Sequence, residues 1–508
     1  LTDLPLLGRR YAELALLQTG VVPGGRQLAS LGEDTSFNAN GNFGTWNNYT
    51  LDGADNNSAS TNLQERSAQV IQPPVDAIEE FRVQTRTYSA EFGKSAGAVI
   101  NASIKQGTNA YKGTVFGFLR DEKFNENTFE NKAAGRKKGP YNQYIGGFTL
   151  GGPIVKNKLF FFGDYQVTRS DKAVSDLATV PTARMRQGDL SELSNALVSN
   201  ALVPAGCVNT ATKTISPSCF DPIAARLINL YPMPNVPAAM AIEGQAGRFG
   251  AAGSNYISNG ILENDVNSFD IRVDGKPGQS GKDSVFVRYS RYKNTRHEPP
   301  VLGPIVSGDF NSDIFITGQS AVLGWSRALN NSMFSEVRAG WNKIQGDTLH
   351  KAFGVDSNKE YGITGIPADP RYTGGLAAMN IAGLSRLGGP SFRPQFQTSQ
   401  VFQLSANTTW QRNSHAFKFG VELRRDKVKY IDLTALNGAA TFSNGRYTGT
   451  GIGDFLIGYA SAQRITLFHE AKLYADAIQF FAQDSWRPTD RLAVNYGGEK
   501  LKEVSVPA

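Results

Sequence analysis

Cysteine is nearly missing from this chain of 508 residues: Cys207 and Cys219 are the only two. Lying 12 apart in a Pro- and Asn-rich stretch, they suggest a loop disulfide and an oxidising compartment; two unpaired thiols are the alternative. Histidine occurs four times, at His297, His350, His415 and His469, too scattered to assemble a catalytic or metal-binding set. Proline, at 23 residues, is too sparse for a collagen or a Pro-rich disordered linker. Charge is modest: 19% of residues, a net +7, and no long basic run. The densest patch, Arg136-Lys137-Lys138, reads as a solvated loop, and nothing resembles a nucleic-acid-binding module, so no nucleic acid is expected as a partner. No stretch approaches the ~18 consecutive apolar residues of a membrane-spanning helix. A membrane β-barrel stays open, because lipid-facing residues alternate with polar ones and keep the mean hydropathy low, here −0.31.

What the chain does contain is alternation. From about Asn142 onward, apolar and polar residues alternate in runs of eight to ten, as strands with two chemically different faces require. Tyr144, Phe148 and Leu150 share one face, and Phe161, Tyr165 and Val167 follow after the turn 151–158. The same hairpin returns with Phe269, Ile271 and Val273 opposed by Asp270, Arg272 and Asp274. It returns again with Val337, Ala339 and Trp341 opposed by Glu336, Arg338 and Asn342. Later Phe417, Phe419, Val421 and Leu423 stand opposite Lys418, Glu422 and Arg424. Connections at 151–158, 275–282, 328–332, 411–415 and 487–490 are short, whereas those at 168–267, 293–318, 342–400 and 425–476 are long. A meander with tight turns at one end and long loops at the other is the layout of an outer-membrane barrel. Trp325, Trp341, Trp410 and Trp486 fall near strand ends beside short turns and read as an interfacial girdle, with cross-strand pairing as the alternative.

Residues 1–110 read differently, as a small α+β unit. It has an apolar helix-like start (Leu14, Leu16, Leu17) and a Gly/Asn-rich stretch from Asn38 to Asn57. A short helix is expected over Val75 to Phe81 behind Pro73-Pro74, then strands over Phe81 to Thr85 and Ala98 to Lys105. Gly93-Lys94-Ser95-Ala96-Gly97 matches a nucleophile-elbow pattern but lacks its strand-turn-helix context, so the chain is not expected to be an enzyme. Gly449, Gly451 and Gly453 miss the dinucleotide spacing, and no cofactor is expected. Asp52-Gly53-Ala54-Asp55-Asn56-Asn57 has turn chemistry. Substrate contact and a metal loop are the other readings, although the alternating ligand positions of a calcium site are missing.

Several segments together resemble TonB-dependent outer-membrane receptors of the Oar-like, acidobacterial type. They are Leu4-Pro5-Leu6-Leu7-Gly8-Arg9, Tyr49-Thr50-Leu51-Asp52-Gly53-Ala54-Asp55-Asn56, Pro74-Val75-Asp76-Ala77-Ile78-Glu79-Glu80-Phe81 and Tyr88-Ser89-Ala90-Glu91-Phe92-Gly93. Gly151-Gly152-Pro153-Ile154, Leu159-Phe160-Phe161-Phe162-Gly163-Asp164-Tyr165, Asp454-Phe455-Leu456-Ile457-Gly458 and Gln483-Asp484-Ser485-Trp486 extend the set. The resemblance implies a mainly β fold, with a small α+β plug domain (1–110) ahead of a transmembrane antiparallel β-barrel with long extracellular loops (111–508), the largest near 168–267. It implies a location in the outer membrane of a Gram-negative bacterium, contact with outer-membrane lipid, and a periplasmic TonB-type energy-transducing partner. The cargo would be an unidentified extracellular nutrient: an oligosaccharide, a peptide or a chelated metal. Trp46, Tyr49, Asp52, Asp55 and Asn56 are the expected substrate-contacting group at the plug apex, and Cys207–Cys219 the expected extracellular disulfide. Such transporters have about 22 strands. Roughly eleven or twelve are legible here at ~9–11 residues each, so the chain reads as a fragment with about half the barrel. A surface binding protein or adhesin without energised transport is the competing reading.

Overall fold

The computed structural model describes residues 9–23, 37–58, 69–86, 88–92, 95–127, 138–235, 254–278, 281–306, 312–366, 374–431, 434–443, 446–466 and 470–507. Leu4 to Gly8, Gly93, Lys94, Arg136, Lys137 and His469 lie outside them.

A four-stranded sheet is built from β1 (Asn48–Leu51), β2 (Ala54–Asp55), β3 (Ile78–Gln84) and β4 (Val99–Ile104), in the order β2-β1-β4-β3. β1 and β4 run parallel and the other pairs antiparallel. The helix expected over Val75 to Phe81 is a single 3₁₀ turn, Val75–Ala77, and the chain extends from Ile78. Pairing with β4, register Phe81↔Ala102, overrides the local signal and leaves Glu79 and Glu80 exposed in a strand.

The large sheet, or wall, has eleven strands: β5 (Lys112–Asp121), β6 (Tyr141–Val155), β7 (Leu159–Ala178), β8 (Tyr256–Gly275), β9 (Asp283–His297), β10 (Ser312–Asn330), β11 (Met333–His350), β12 (Gln395–Arg412), β13 (His415–Ile431), β14 (Ala471–Thr489) and β15 (Leu492–Pro507). Every wall strand pairs antiparallel with its neighbour in sequence, giving an uninterrupted meander that does not close on itself.

Alternation assigns the two faces. On β11, Arg338, Gly340, Asn342 and Ile344 turn toward the small sheet. Val337, Ala339 and Trp341 therefore point outward, level with Leu404 and Phe402 of β12. The outward residues form an apolar belt above the short turns, as a lipid-facing wall requires. It ends where polar residues take over: after Val167 at Arg169, after Tyr289 at Arg291, after Trp341 at Lys343 and after Leu423 at Arg425. Trp325, Trp410 and Trp486 lie at the turn end of the belt, but Trp341 marks its opposite edge.

The wall strands continue well past the belt, to 20 residues in β7 and β8. The connection expected at 168–267 accordingly shrinks to 179–255. Above the belt the outward side is as polar as the inward side, so the hydrophobic alternation fades while the backbone ladder persists. The long connections pack together into a cap with its own apolar core, including Leu190, Leu227, Ile228, Leu376, Phe442 and Phe455. Two short helices stabilise it, Pro222–Leu227 capped by the Asp221 carboxylate and Gly451–Leu456 capped by Thr450. Cys207 and Cys219 are joined in the first of these connections. Burial pushes the phenol of Tyr231, whose hydroxyl donates to the Ser385 carbonyl at 2.6 Å, above its ordinary value.

Candidate functional site

The contact between the small sheet and the inner face of the wall is where buried charge concentrates. The hairpin joining β1 to β2 is the Asp52-Gly53 turn, with φ of 52° and 73°, the left-handed pair that a tight two-residue hairpin needs. The positive φ favours glycine at position 53, and a Cβ there would stand 2.8 Å from the Arg338 guanidinium, which would have to shift.

That turn aims Asp52 at the wall. Its side chain is 1% exposed, 2.8 Å from Arg272 Nη1 and 2.8 Å from Arg288 Nε, and accepts from the Ile104 amide at 3.0 Å. Arg288 is itself 1% exposed, so the pair is fully withdrawn from water. Arg272 is further held by Asp274 at 2.8 Å. Three residues on, the Asp55 carboxylate pairs with Arg424, which also binds Asp426 at 2.7 Å. The Asp55 backbone is clasped as well: its amide donates to Gln403 Oε1 and its carbonyl accepts from Asn342 Nδ2, both at 2.8 Å. On the far side Arg9 pairs with Asp76 at 2.6 Å and lies 4.4 Å over the Phe118 ring of β5. Beside these contacts lies a cavity of about 460 Å³, lined by Asp52, Asp55, Glu80, Arg82, Arg338 and Glu422 among others.

The five residues expected to contact substrate do not form one surface. Asp52 and Asp55 are tied to wall arginines. Asn56 is 1% exposed and exchanges two 2.9 Å hydrogen bonds with the Ile71 backbone, pinning the segment that carries Val70. Tyr49 is buried edge-on against Phe37. Trp46 alone is open, edge-on to the exposed Phe43 at 5.4 Å. The wall residues that complete the interface, Arg272, Arg288, Arg424, Asn342 and Gln403, were legible only as polar members of alternating strands.

Close backbone approach adds to the fit. A Cβ on Gly318 of β10 would lie 2.0 Å from the Val70 carbonyl, so only glycine lets the small sheet seat there. Burial pushes the Tyr11 phenol above its usual range, and its hydroxyl donates to Gln69. The Ser95 hydroxyl donates to the Trp46 carbonyl at 2.9 Å. Among the described residues no group of three His, Cys, Asp or Glu side chains is arranged to hold a metal ion.

Residues 103–498 match the family model described as an outer membrane beta barrel domain. The chain is 24% identical over 497 residues to the TonB-dependent transporter Oar of Myxococcus xanthus, covering 90% of this chain and 42% of that protein. It overlays on the crystal structure of the outer membrane transporter YddB from Escherichia coli with a TM-score of 0.57 at 12% identity, covering 99% of this chain and 55% of that one. A variant of the ferric enterobactin receptor from Pseudomonas aeruginosa gives 0.52 at 10% identity, with 98% and 55% covered. The chain thus spans about half the length of the relatives it matches. With an antiparallel meander, an outward apolar belt and a small sheet seated on a polar inner face, the chain belongs to the outer membrane beta barrel family of the Gram-negative outer membrane, and it is similar to a TonB-dependent transporter.

Proposed function

We propose that residues 1–110 act as the plug, and residues 111–508 as barrel wall, of an energised importer. A periplasmic TonB-type protein would draw on the plug to open a path for an extracellular nutrient such as an oligosaccharide, a peptide or a chelated metal. The observation that carries this reading is the charged plug–wall contact. Asp52 and Asp55 are held by arginines beside a polar cavity, so water can replace the contacts as the plug shifts. An apolar interface of the same size would have no such substitute. The proteins it resembles are named as outer-membrane or TonB-dependent transporters.

A surface-binding role without transport draws support from the packed cap, which presents a built outer surface. One tether separates the two. The Ala54 Cβ lies 3.2 Å from where a Cβ on Gly340 would stand, slightly inside the ~3.5–4.5 Å span of a disulfide. An Ala54→Cys, Gly340→Cys variant should therefore cross-link plug to wall. In cells, oxidation should stop uptake of labelled nutrient without affecting its surface binding, and a reductant should restore uptake. Uptake that continues through the locked state would refute the importer reading. Binding with no uptake in the unmodified protein, insensitive to a protonophore, would establish the adhesin.

A further inference from the structure

The small sheet has two unlike faces. Tyr49, Leu51, Ile100 and Ile104 belong to the apolar core shared with wall strands, and Phe81 and Val83 of β3 pack against it. The residues between them, Asn48, Thr50, Glu80, Arg82, Asn101 and Ser103, turn the other way and line the cavity of about 460 Å³. Polar residues of β11 to β14 stand across it. On that side charge is already matched: Arg338 pairs with Glu336 at 3.2 Å, Arg424 with Asp55 and Asp426, and Lys418 with Glu91. The segment 88–92 borders the cavity, with the Ala90 amide donating to Gln483 Oε1 at 3.1 Å. Glu80 and Arg82 differ from the other charges. Among the described residues no hydrogen bond or ion pair engages either side chain. They stand two apart on one face of β3, opposite Ser103 and Asn101 of β4.

We propose that this cavity binds a short zwitterionic peptide, its ammonium group on Glu80 and its carboxylate on Arg82. Spacing sets the size. Side chains two apart on one face of a strand stand about 7 Å from each other. An extended dipeptide separates its two termini by about the same 7 Å. The volume of about 460 Å³ falls within the ~300–1,000 Å³ of small-ligand sites. Charge sets the class. Six carboxylates against five cations line the cavity, so an anionic metal chelate finds no positive field there. An oligosaccharide would leave Glu80 and Arg82 without counter-charges, whereas peptide termini supply one of each sign. Asn101, whose Oδ1 accepts from the Thr50 hydroxyl, keeps its Nδ2 donor for the peptide carbonyl. The site adjoins the Asp52 and Asp55 contacts, where plug and wall must part. In its biological use the assignment rests on the importer reading, and it narrows that importer's cargo to peptides.

The test measures binding of dialanine to the purified protein in mild detergent by isothermal titration calorimetry. Unaltered protein should bind it, while N-acetyl-dialanine amide, with both termini neutral, should not bind. Glu80→Gln and Arg82→Gln should each weaken dialanine about tenfold, the loss of one charge-assisted contact. Hydrogen exchange on β4 should stay unchanged in both variants, since neither side chain ties the sheet together. Absent dialanine binding, equal binding of the blocked peptide, unaltered affinity in both variants, or lost protection on β4 would each overturn the proposal. So would Arg82-dependent binding of maltotriose or ferric citrate in place of dialanine. Calorimetry needs no energy source, so the two readings fail separately. Dialanine bound by a protein whose uptake survives the plug–wall cross-link would keep this site and refute the importer. Uptake stopped by the cross-link with no dialanine bound would do the reverse.

Discussion

Replacing Asp52 by Asn preserves the shape of the turn and removes the charge that two buried arginines share. Arg272 retains Asp274, whereas Arg288, at 1% exposure, keeps the Ser290 and Ser320 hydroxyls and the field of the Asp270 carboxylate to which Ser290 donates, and has no other salt bridge among the described residues. Removing one partner of a buried ion pair costs about 3–5 kcal/mol, because the remaining charge stays out of water. At 1.4 kcal/mol per power of ten, seating of the small sheet should weaken by roughly two to three and a half powers of ten. Hydrogen exchange is the direct readout. The Ile104 amide, which donates to Asp52, and its neighbours on β4 should lose protection by that factor. Wall amides on β11 should keep theirs, since the wall's own ladder is untouched. Adding Arg288→Met to Asp52→Asn should recover part of the loss by removing the stranded charge. A change on β4 below about 1 kcal/mol, the scale of an exposed pair, would refute the assignment of this pair as the anchor. So would an equal loss of protection on β11.

Gly318→Ala places a methyl group against the Val70 carbonyl and should weaken seating of the segment 69–71 by about 1–3 kcal/mol, visible as faster exchange there without loss of the wall; unchanged exchange would show that this approach is not tight. Cys207→Ser opens the loop closed by the disulfide, at about 3 kcal/mol for a loop of this size. Trypsin should then cut faster at Lys213 while β7 and β8 stay protected, and an unaltered cleavage rate would contradict a local role. His350, at the cap end of β11 and beyond the belt boundary at Lys343, is buried, accepts from Asn437 Nδ2 at 3.1 Å and is held down to about 4 by burial. A histidine lowered on folding contributes fully above its unfolded value near 6.5 and loses that contribution as pH falls toward 4. The cap around 374–378 should therefore loosen across that window by about 3 kcal/mol, and His350→Gln should flatten the dependence measured by hydrogen exchange.

The wall was legible in the sequence because each hairpin carries a face of aliphatic and aromatic side chains against a face of charges. Its short turns followed from where the alternation stops and restarts. The upper limits of the strands were not legible: beyond Trp341 and Leu423 both faces turn polar, while the ladder pairing continues to His350 and Ile431. The cap escaped notice for a related reason. Its core gathers Leu190, Leu376 and Phe455 from three separate connections, none of which has a periodic pattern of its own. Asp52 and Asp55 were visible as turn chemistry and as candidate ligand contacts. Their partners stand 220 and 369 positions further along, and local spacing carries no information on which inward arginine will face which turn. Cys207 and Cys219 were the easier case, since two cysteines leave a single pairing.

The apolar core of the cap and the one beneath the small sheet share no residue. Energetic effects at well-separated sites add rather than couple, so a change of shape among the outer connections imposes little on the packing that seats Asp52 and Asp55. The molecule is in effect two independently tunable bodies on one set of strands. The surface built by the long connections can diverge rapidly between lineages. The inward row of arginines and its acidic turn should drift far more slowly, as a paired contact whose two halves must change together.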